Sequence, residues 1–77
     1  MKIENFIEIL VEELEFEQDN INLDTNIKEL DEWDSLTTLM LIGFVNNNFE
    51  VNLTNQDIEK ITTFKSLINI IGTDKFN

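Results

Sequence analysis

Asp34-Ser35-Leu36 is the stretch where an acidic, polar segment gives way to the most apolar run of the chain. Aspartate is a preferred N-cap residue, because its side chain accepts a hydrogen bond from a free N–H group that opens a helix. Ser35 then takes the first helical position, at the positive end of the helix dipole, where a phosphate group is electrostatically favoured. An ordinary helix cap explains these two residues more simply, so the rest of the chain has to decide.

The helix that follows is predicted to run over residues 35 to about 49, with apolar side chains nearly all round it. A chain of 77 residues is too small to bury such a helix on every side. Part of its surface, including Leu36, Leu39 or Met40, is therefore predicted to be solvent-accessible and to meet a partner. Gly43 costs about 1 kcal/mol relative to alanine inside a helix, and it is predicted to mark a close approach by a neighbour or a partner.

Upstream, an amphipathic helix is predicted over about residues 3–17. Its apolar stripe follows i, i+3, i+4, i+7, i+11 spacing and consists of Ile3, Phe6, Ile7, Leu10 and Leu14. Glutamates fill much of the remaining surface, and a solvated helix face accounts for them. A weak cation site is the minority alternative for four of them, namely Glu12, Glu13, Glu15 and Glu17.

A long connection of residues 18–34 separates these two helices, and a connection of this length is usually functional or attached to the core. Four aliphatic residues are predicted to attach it: Ile21, Leu23, Ile27 and Leu30. Residues 27–30 could form a short helical turn. The Asn/Asp spacing from Asn20 suggests a calcium loop, but Thr25 stands where glycine is needed and Asp31 replaces the final glutamate, so we reject that reading.

Two further helices are predicted near the end of the chain. Thr54, with Asp57 three residues later, indicates a capping box for a short third helix with Ile58 and Ile61 as its core residues. Thr63 is predicted to cap the last helix. The buried stripe of that helix is predicted to be Phe64, Leu67, Ile68 and Ile71.

Gly72 is a predicted C-cap, and residues 74–77 are predicted to fray. With no strand pattern of useful length, the predicted fold class is all-α. The architecture is a small four-helix bundle, three main helices plus one short helix, with a long first loop and a single domain over residues 1–77.

The composition excludes several classes of function. The chain has no cysteine, no histidine and no arginine, which removes the usual nucleophile, general base, zinc ligands and phosphate clamp, so we expect no enzyme and no metal site. The net charge of −11 argues against nucleic acid or an anionic membrane as partner. No basic n-region marks a signal peptide, and we expect a cytoplasmic monomer.

Asp34-Ser35-Leu36 at the start of a central helix, in an acidic four-helix chain of this length, resembles the acyl carrier protein family. The resemblance covers nearly the whole chain, and includes the first helix stripe, Leu30 before the Asp, and Phe49 closing the second helix. The run from Ile58 to Phe64 is similar to the family's junction between third and fourth helices.

The resemblance implies that Ser35 is the attachment site of 4′-phosphopantetheine, with Asp34 and Leu36 as motif neighbours. A phosphopantetheinyl transferase would move the group from coenzyme A to the serine hydroxyl. Acyl groups would then be carried as thioesters on the arm and presented to acyl-activating or acyl-transferring enzymes with basic docking patches. We predict partner binding by charge steering at Glu29, Asp31 and Glu32 and by apolar contact at Leu36, Leu39 and Met40.

The chain also departs from carriers of primary fatty acid biosynthesis. Those carriers usually have Gly-Ala before the motif and acidic residues along the second helix, whereas this chain has Glu32-Trp33 before it and Met40, Asn46 and Asn47 at the matching helix positions. We therefore predict a specialised carrier. The alternatives are a primary fatty acid carrier, a carrier of aminoacyl or peptidyl groups, and an unmodified helical interaction module recognised through the second helix.

Overall fold

Four α-helices make up the protein, and the structure, a computed structural model, describes all residues 1–77. The helices are α1 (Ile3–Glu13), α2 (Ser35–Phe49), α3 (Asn55–Lys60) and α4 (Phe64–Ile71). Two 3-10 helices, Ile27–Glu29 and Thr73–Lys75, lie outside them. The only β-type pairing is an isolated antiparallel bridge. The predicted all-α class and the order of elements are confirmed.

Helix α1 is shorter than predicted, since it ends at Glu13 and not near residue 17. Glu15 adopts a left-handed conformation with φ of 59°. The Glu15 N–H donates to the Glu12 carbonyl at 3.2 Å and the Phe16 N–H to the Val11 carbonyl at 3.0 Å, which is the pairing of a Schellman motif. This turn buries Phe16, a core residue that the periodicity does not indicate because it lies past the helix end.

The long first connection is attached to the start of α4 by backbone hydrogen bonds. The Ile27 N–H donates to the Thr62 carbonyl at 2.8 Å, and the Phe64 N–H donates to the Thr25 carbonyl at 3.2 Å. Ile27 and Leu30 are buried, and the predicted turn between them is present. The connection is therefore an ordered part of the bundle that delivers the chain to the start of α2.

Helices α3 and α4 begin at the predicted caps. The Asp57 N–H donates to the Thr54 hydroxyl at 3.1 Å and the Thr54 N–H donates to the Asp57 carboxylate at 3.0 Å, which completes the capping box. Lys28 donates from its ammonium group to the carbonyls of Ile58 and Glu59 near the end of α3. The predicted stripe of α4 is buried in full, and Gly72 ends that helix with φ of 114°.

The C-terminal residues do not fray, so that prediction is wrong. The Phe76 ring lies 5.2 Å from Phe6 and 5.0 Å from Phe49, measured between ring centroids. The Asn77 N–H donates to the Met1 carbonyl at 3.0 Å. Aromatic packing against Phe6 and Phe49 therefore orders a segment whose polar composition suggested mobility.

A single cluster of 15 buried hydrophobic residues forms the core, with contributions from every α-helix except α3. Helix α2 contributes Leu41, Val45 and Phe49 to the cluster, so one face of this apolar helix is buried and another faces solvent. None of the helices is long and apolar enough to cross a membrane.

Candidate functional site

Ser35 is the first residue of α2 and is exposed to solvent. The long connection, attached through Ile27 and Leu30, fixes where this helix starts, and the buried face of α2 fixes how the helix lies on the core. The serine hydroxyl is thereby presented at the surface, at one end of a 15-residue helix. Such a position suits a hydroxyl that another molecule has to reach.

Asp34 performs the capping at this helix end, as predicted. One oxygen of its carboxylate accepts the Thr37 N–H at 2.8 Å and lies 2.9 Å from the Thr37 hydroxyl. The Asp34 carbonyl accepts the Thr38 N–H at 3.0 Å, which closes the first turn. Because Asp34 supplies the cap, the hydroxyl of Ser35 is not needed to start the helix.

Thr37 is the residue of this site that the sequence reasoning missed. It is the only buried polar side chain of the protein, and its hydroxyl also lies 2.7 Å from the Glu32 carbonyl. It therefore connects the last residues of the loop to the first turn of α2. The signal that could have found it is the Asp-x-x-Thr spacing, which places Thr37 at the position whose N–H an N-cap aspartate accepts.

The cap also sets the charge beside Ser35. The hydrogen bond from the Thr37 backbone N–H, together with that from the Thr37 hydroxyl, lowers the pKa of the Asp34 carboxyl below its usual 3.8. Asp34 is therefore ionised at neutral pH. A negative group attached to Ser35 would have this carboxylate as a neighbour.

The chemistry of this helix end nevertheless fits a phosphate ester on Ser35. The N–H groups of Ser35 and Leu36 belong to the first turn, where no preceding turn can accept from them, although that of Leu36 also donates to the Asp34 carboxylate. Together with the aligned peptide dipoles they provide about half a positive charge. This partial charge opposes part of the repulsion from Asp34, and helix N-termini are common phosphate-binding positions.

An exposed apolar strip follows Ser35 along α2. Leu36 and Leu39 are 65% and 66% exposed, values that are high for leucine, and Met40 is more exposed than an interior methionine would be. The prediction that these residues are solvent-accessible is confirmed. Helix α2 carries no charged side chain from end to end.

The acidic residues predicted to bind partners lie just before the helix. Glu29 and Asp31 are exposed, and Glu32 is half-buried, with its carbonyl accepting from the Thr37 hydroxyl. Trp33 packs partly against the core, consistent with a loop anchor. The charged loop and the apolar strip therefore adjoin at Ser35.

The end of α1 also borders the site, which sequence spacing alone does not indicate. A depression beside Ser35 is lined by apolar and acidic side chains from both segments. Apolar lining comes from Val11, Leu14, Phe16, Leu36 and Met40, and carboxylates come from Glu12, Glu15, Glu17, Glu32 and Asp34. The acidic character of this region is thus greater than the loop residues alone provide.

The minority reading of a cation site in α1 is not supported by the structure. No three acidic side chains are grouped closely enough to hold a metal ion. Glu12, Glu15 and Glu17 share the lining of the depression beside Ser35, but they do not form a group that could hold a metal ion.

The family model described as a phosphopantetheine attachment site matches residues 4–71. The match begins in the first turn of α1, continues through Ser35 and the whole of α2, and ends at the last residue of α4.

Proposed function

The chain belongs to the phosphopantetheine attachment site family, the domain family of acyl carrier proteins, and we propose that it carries acyl or aminoacyl groups as thioesters on an arm attached to Ser35. Domains of this family receive 4′-phosphopantetheine covalently on a serine. Residues 1–77 would act as one carrier domain that presents its cargo to partner enzymes. The arm, when attached, supplies a terminal thiol for thioester formation.

The observation that carries this proposal is the position of Ser35. The hydroxyl is exposed at the first residue of α2, and Asp34 has taken over the capping that would otherwise explain a serine there. The serine oxygen would form the one new bond of the chain, to the pantetheine-bearing phosphorus of the coenzyme A diphosphate. The bond from this phosphorus to the oxygen bridging the two phosphates would break, adenosine 3′,5′-bisphosphate would leave, and the hydroxyl proton would pass to a base of the transferase.

The residues around Ser35 would hold and orient the site and would not catalyse the transfer. With no histidine or cysteine in the chain, the proton acceptor for the hydroxyl has to come from the transferase. Asp34 is committed to Thr37, and its lowered pKa makes it a weak base. The protein would therefore be a non-catalytic carrier.

The surface around Ser35 favours a specialised carrier with dedicated partners. Acidic steering would come from the loop, through Glu29, Asp31 and Glu32, and from the end of α1. Contact beyond the serine would be made by the uncharged strip of Leu36 and Leu39 together with Met40. Partners would then combine a basic patch facing the loop with an apolar surface facing α2.

Intact-mass analysis tests the attachment. The protein is incubated with coenzyme A and a broad-specificity phosphopantetheinyl transferase, beside Ser35→Ala and the matched control Ser66→Ala. We expect the wild type and the control to gain one phosphopantetheine, and Ser35→Ala to gain none while it keeps its helical circular dichroism. A folded wild type that gains nothing would leave the alternative, an unmodified interaction module that binds through α2.

The specialised role needs a separate test. A ketosynthase of primary fatty acid synthesis is offered either this protein or that organism's primary carrier, each loaded with the same acyl group. We expect elongation on this protein to be at least about tenfold less efficient, because α2 lacks the acidic residues that a basic docking patch would contact. Equal efficiency would instead indicate a primary carrier.

A further inference from the structure

Gly43 lies in the middle of α2, where nothing inside the protein explains a glycine. Glycine is among the poorest helix formers, and alanine at the same position would favour the helix. A Cβ atom placed on Gly43 would have no neighbour within 4 Å, and the residue is exposed. The close approach expected from the sequence is therefore not an approach by another part of the chain.

The missing side chain leaves a hollow between α1 and α2. Its lining, besides Gly43, consists of Ile9, Glu13, Leu14, Met40, Phe44, Asn47 and Asn48. Ile9 is 39% and Met40 is 37% exposed, which makes both incompletely covered apolar walls. Four of the eight lining residues are apolar, and because Gly43 has no side chain the hollow has room for one apolar side chain beside Ile9 and Met40.

The hollow is continuous with the strip that begins beside Ser35. Leu36, Met40, Gly43 and Asn47 follow i, i+4, i+7, i+11 spacing and so share one face of α2. Gly43 lies eight residues after Ser35, which corresponds to about 12 Å along the helix. A protein that reaches Ser35 across Leu36 and Met40 therefore also covers Gly43.

Charge decides what kind of molecule fits the hollow. Its one charged lining residue is Glu13, and no lysine lines it. A second copy of this chain, with a net charge of −11, would bring like charges together across the contact. An anionic lipid surface is disfavoured for the same reason. The complementary occupant is an apolar side chain flanked by Lys or Arg on another protein.

We propose that the hollow over Gly43 receives an apolar side chain, flanked by basic residues, of the phosphopantetheinyl transferase that modifies Ser35. This inference rests on the proposed function, because it assumes that Ser35 is modified. It adds that the second helix of this carrier offers a socket at Gly43, so that contact is set by shape as well as by charge.

The test fills the socket without disturbing the core. Gly43→Ala and Gly43→Met are compared with wild type for the thermal midpoint, and for kcat and the KM for the carrier protein in phosphopantetheine transfer from coenzyme A. Asn69→Ala is the matched control, because it also raises helix propensity but lies exposed on α4. We expect both Gly43 variants and the control to unfold a few degrees higher than wild type.

Transfer is expected to separate the variants. The KM for the carrier protein should rise about fivefold for Gly43→Ala and more than about tenfold for Gly43→Met, because the new side chain excludes that of the transferase. The kcat should stay within about twofold, because the chemistry at Ser35 is unchanged. The Asn69→Ala control should match wild type. A rise in KM for this control as large as that for Gly43→Ala would attribute the effect to helix stiffness and overturn the inference.

Two other results would also overturn it. Unchanged KM in Gly43→Met, with normal modification of wild type, would reject the socket and leave the proposed function intact. A concentration-dependent increase in the mass of wild type in solution that Gly43→Met abolishes would assign the hollow to a second copy. Failure of every form to become modified would reject the proposed function itself.

Discussion

The carboxylate of Asp34 accepts the backbone N–H of Thr37 at 2.8 Å and lies 2.9 Å from the hydroxyl of the same residue. The hydroxyl also lies 2.7 Å from the Glu32 carbonyl, so its one proton is shared between two acceptors. All of these contacts are made by Thr37, which is buried. They determine where α2 starts, and therefore where Ser35 is presented.

Thr37→Val is predicted to destabilise the protein. Valine keeps the shape but removes the hydroxyl, and it leaves the partly buried Glu32 carbonyl without this donor, which should lower the free energy of unfolding by about 1 kcal/mol. Urea denaturation measures the change. Thr38→Val is the control, because the Thr38 hydroxyl is bonded only to a backbone carbonyl at the exposed surface. Equal effects of the two substitutions would contradict the special role of Thr37.

The same substitution is predicted to slow modification of Ser35. A loosened first turn presents the hydroxyl in more than one position, so kcat/KM for phosphopantetheine transfer should fall about three- to tenfold. The measurement has to be made at a temperature where both proteins are fully folded. A stable but unimpaired Thr37→Val protein would show that the cap does not orient the serine.

Stability is predicted to fall in acid as two capping carboxyls become protonated. The Asp34 and Asp57 carboxyls have pKa values below the usual 3.8, mainly because the backbone N–H groups of Thr37 and Thr54 donate to them. A carboxyl with a lowered folded-state pKa stabilises the fold fully above its unfolded value. That stabilisation is lost as pH falls from 3.8 through the lowered pKa. Urea midpoints between about pH 5 and pH 2 should show the loss.

Asparagine variants isolate these two groups, since asparagine caps helices well but does not titrate. In Asp34→Asn/Asp57→Asn the acid limb should be shallower than in wild type. Repulsion among the acidic residues is tested separately at neutral pH. Residues 1–34 hold 12 acidic residues and 2 lysines, so added salt should raise the urea midpoint modestly by screening their repulsion. A midpoint that does not change with salt would argue against repulsion as a destabilising factor.

Glu15→Gly is predicted to stabilise the protein by about 0.5–1 kcal/mol. Glu15 has φ of 59°, a conformation that a residue with a Cβ atom adopts at a cost and glycine adopts freely. Thermal unfolding measures the gain. Glu15→Gln separates the two causes, since it removes the same charge without relieving the backbone. If Glu15→Gln stabilises the protein as much as Glu15→Gly, charge and not conformation is responsible.

Phe76→Ala is predicted to destabilise the protein by about 2 kcal/mol, less than a fully buried phenylalanine because Phe76 is only half-buried. Its ring packs against both Phe6 and Phe49, which belong to the core and also contact each other. Chemical denaturation gives the change in the free energy of unfolding. Lys75→Ala, at an exposed neighbour, should have little effect. A silent Phe76→Ala would restore the original expectation that the terminus frays.

Most of the fold could be predicted from local chemistry. The caps at Asp34, Thr54 and Thr63 and the C-cap at Gly72 are each read from one residue and its near neighbours, and the structure confirms all four. The stripe of α4 follows from 3.6-residue periodicity alone. The exposure of Leu36 and its neighbours follows because a chain of this size cannot bury an apolar helix on every side.

The features that were missed depend on contacts between distant residues or on backbone geometry. The end of α1 required a left-handed glutamate, which a propensity argument assigns to glycine. The order of the C-terminus required Phe6 and Phe49 to meet Phe76, across separations that no local pattern encodes. The depression beside Ser35 likewise required the end of α1 to lie next to the start of α2.

By itself, therefore, the sequence determined the helices, their caps and the serine at the start of the central helix, because hydrogen bonding and periodicity over a few residues control these features. Only the tertiary structure decided which side of α2 is covered, that Thr37 locks the cap, and that Gly43 faces solvent and not a neighbour. Those outcomes depend on which helices pack against each other, and contacts between residues far apart in the sequence determine that packing.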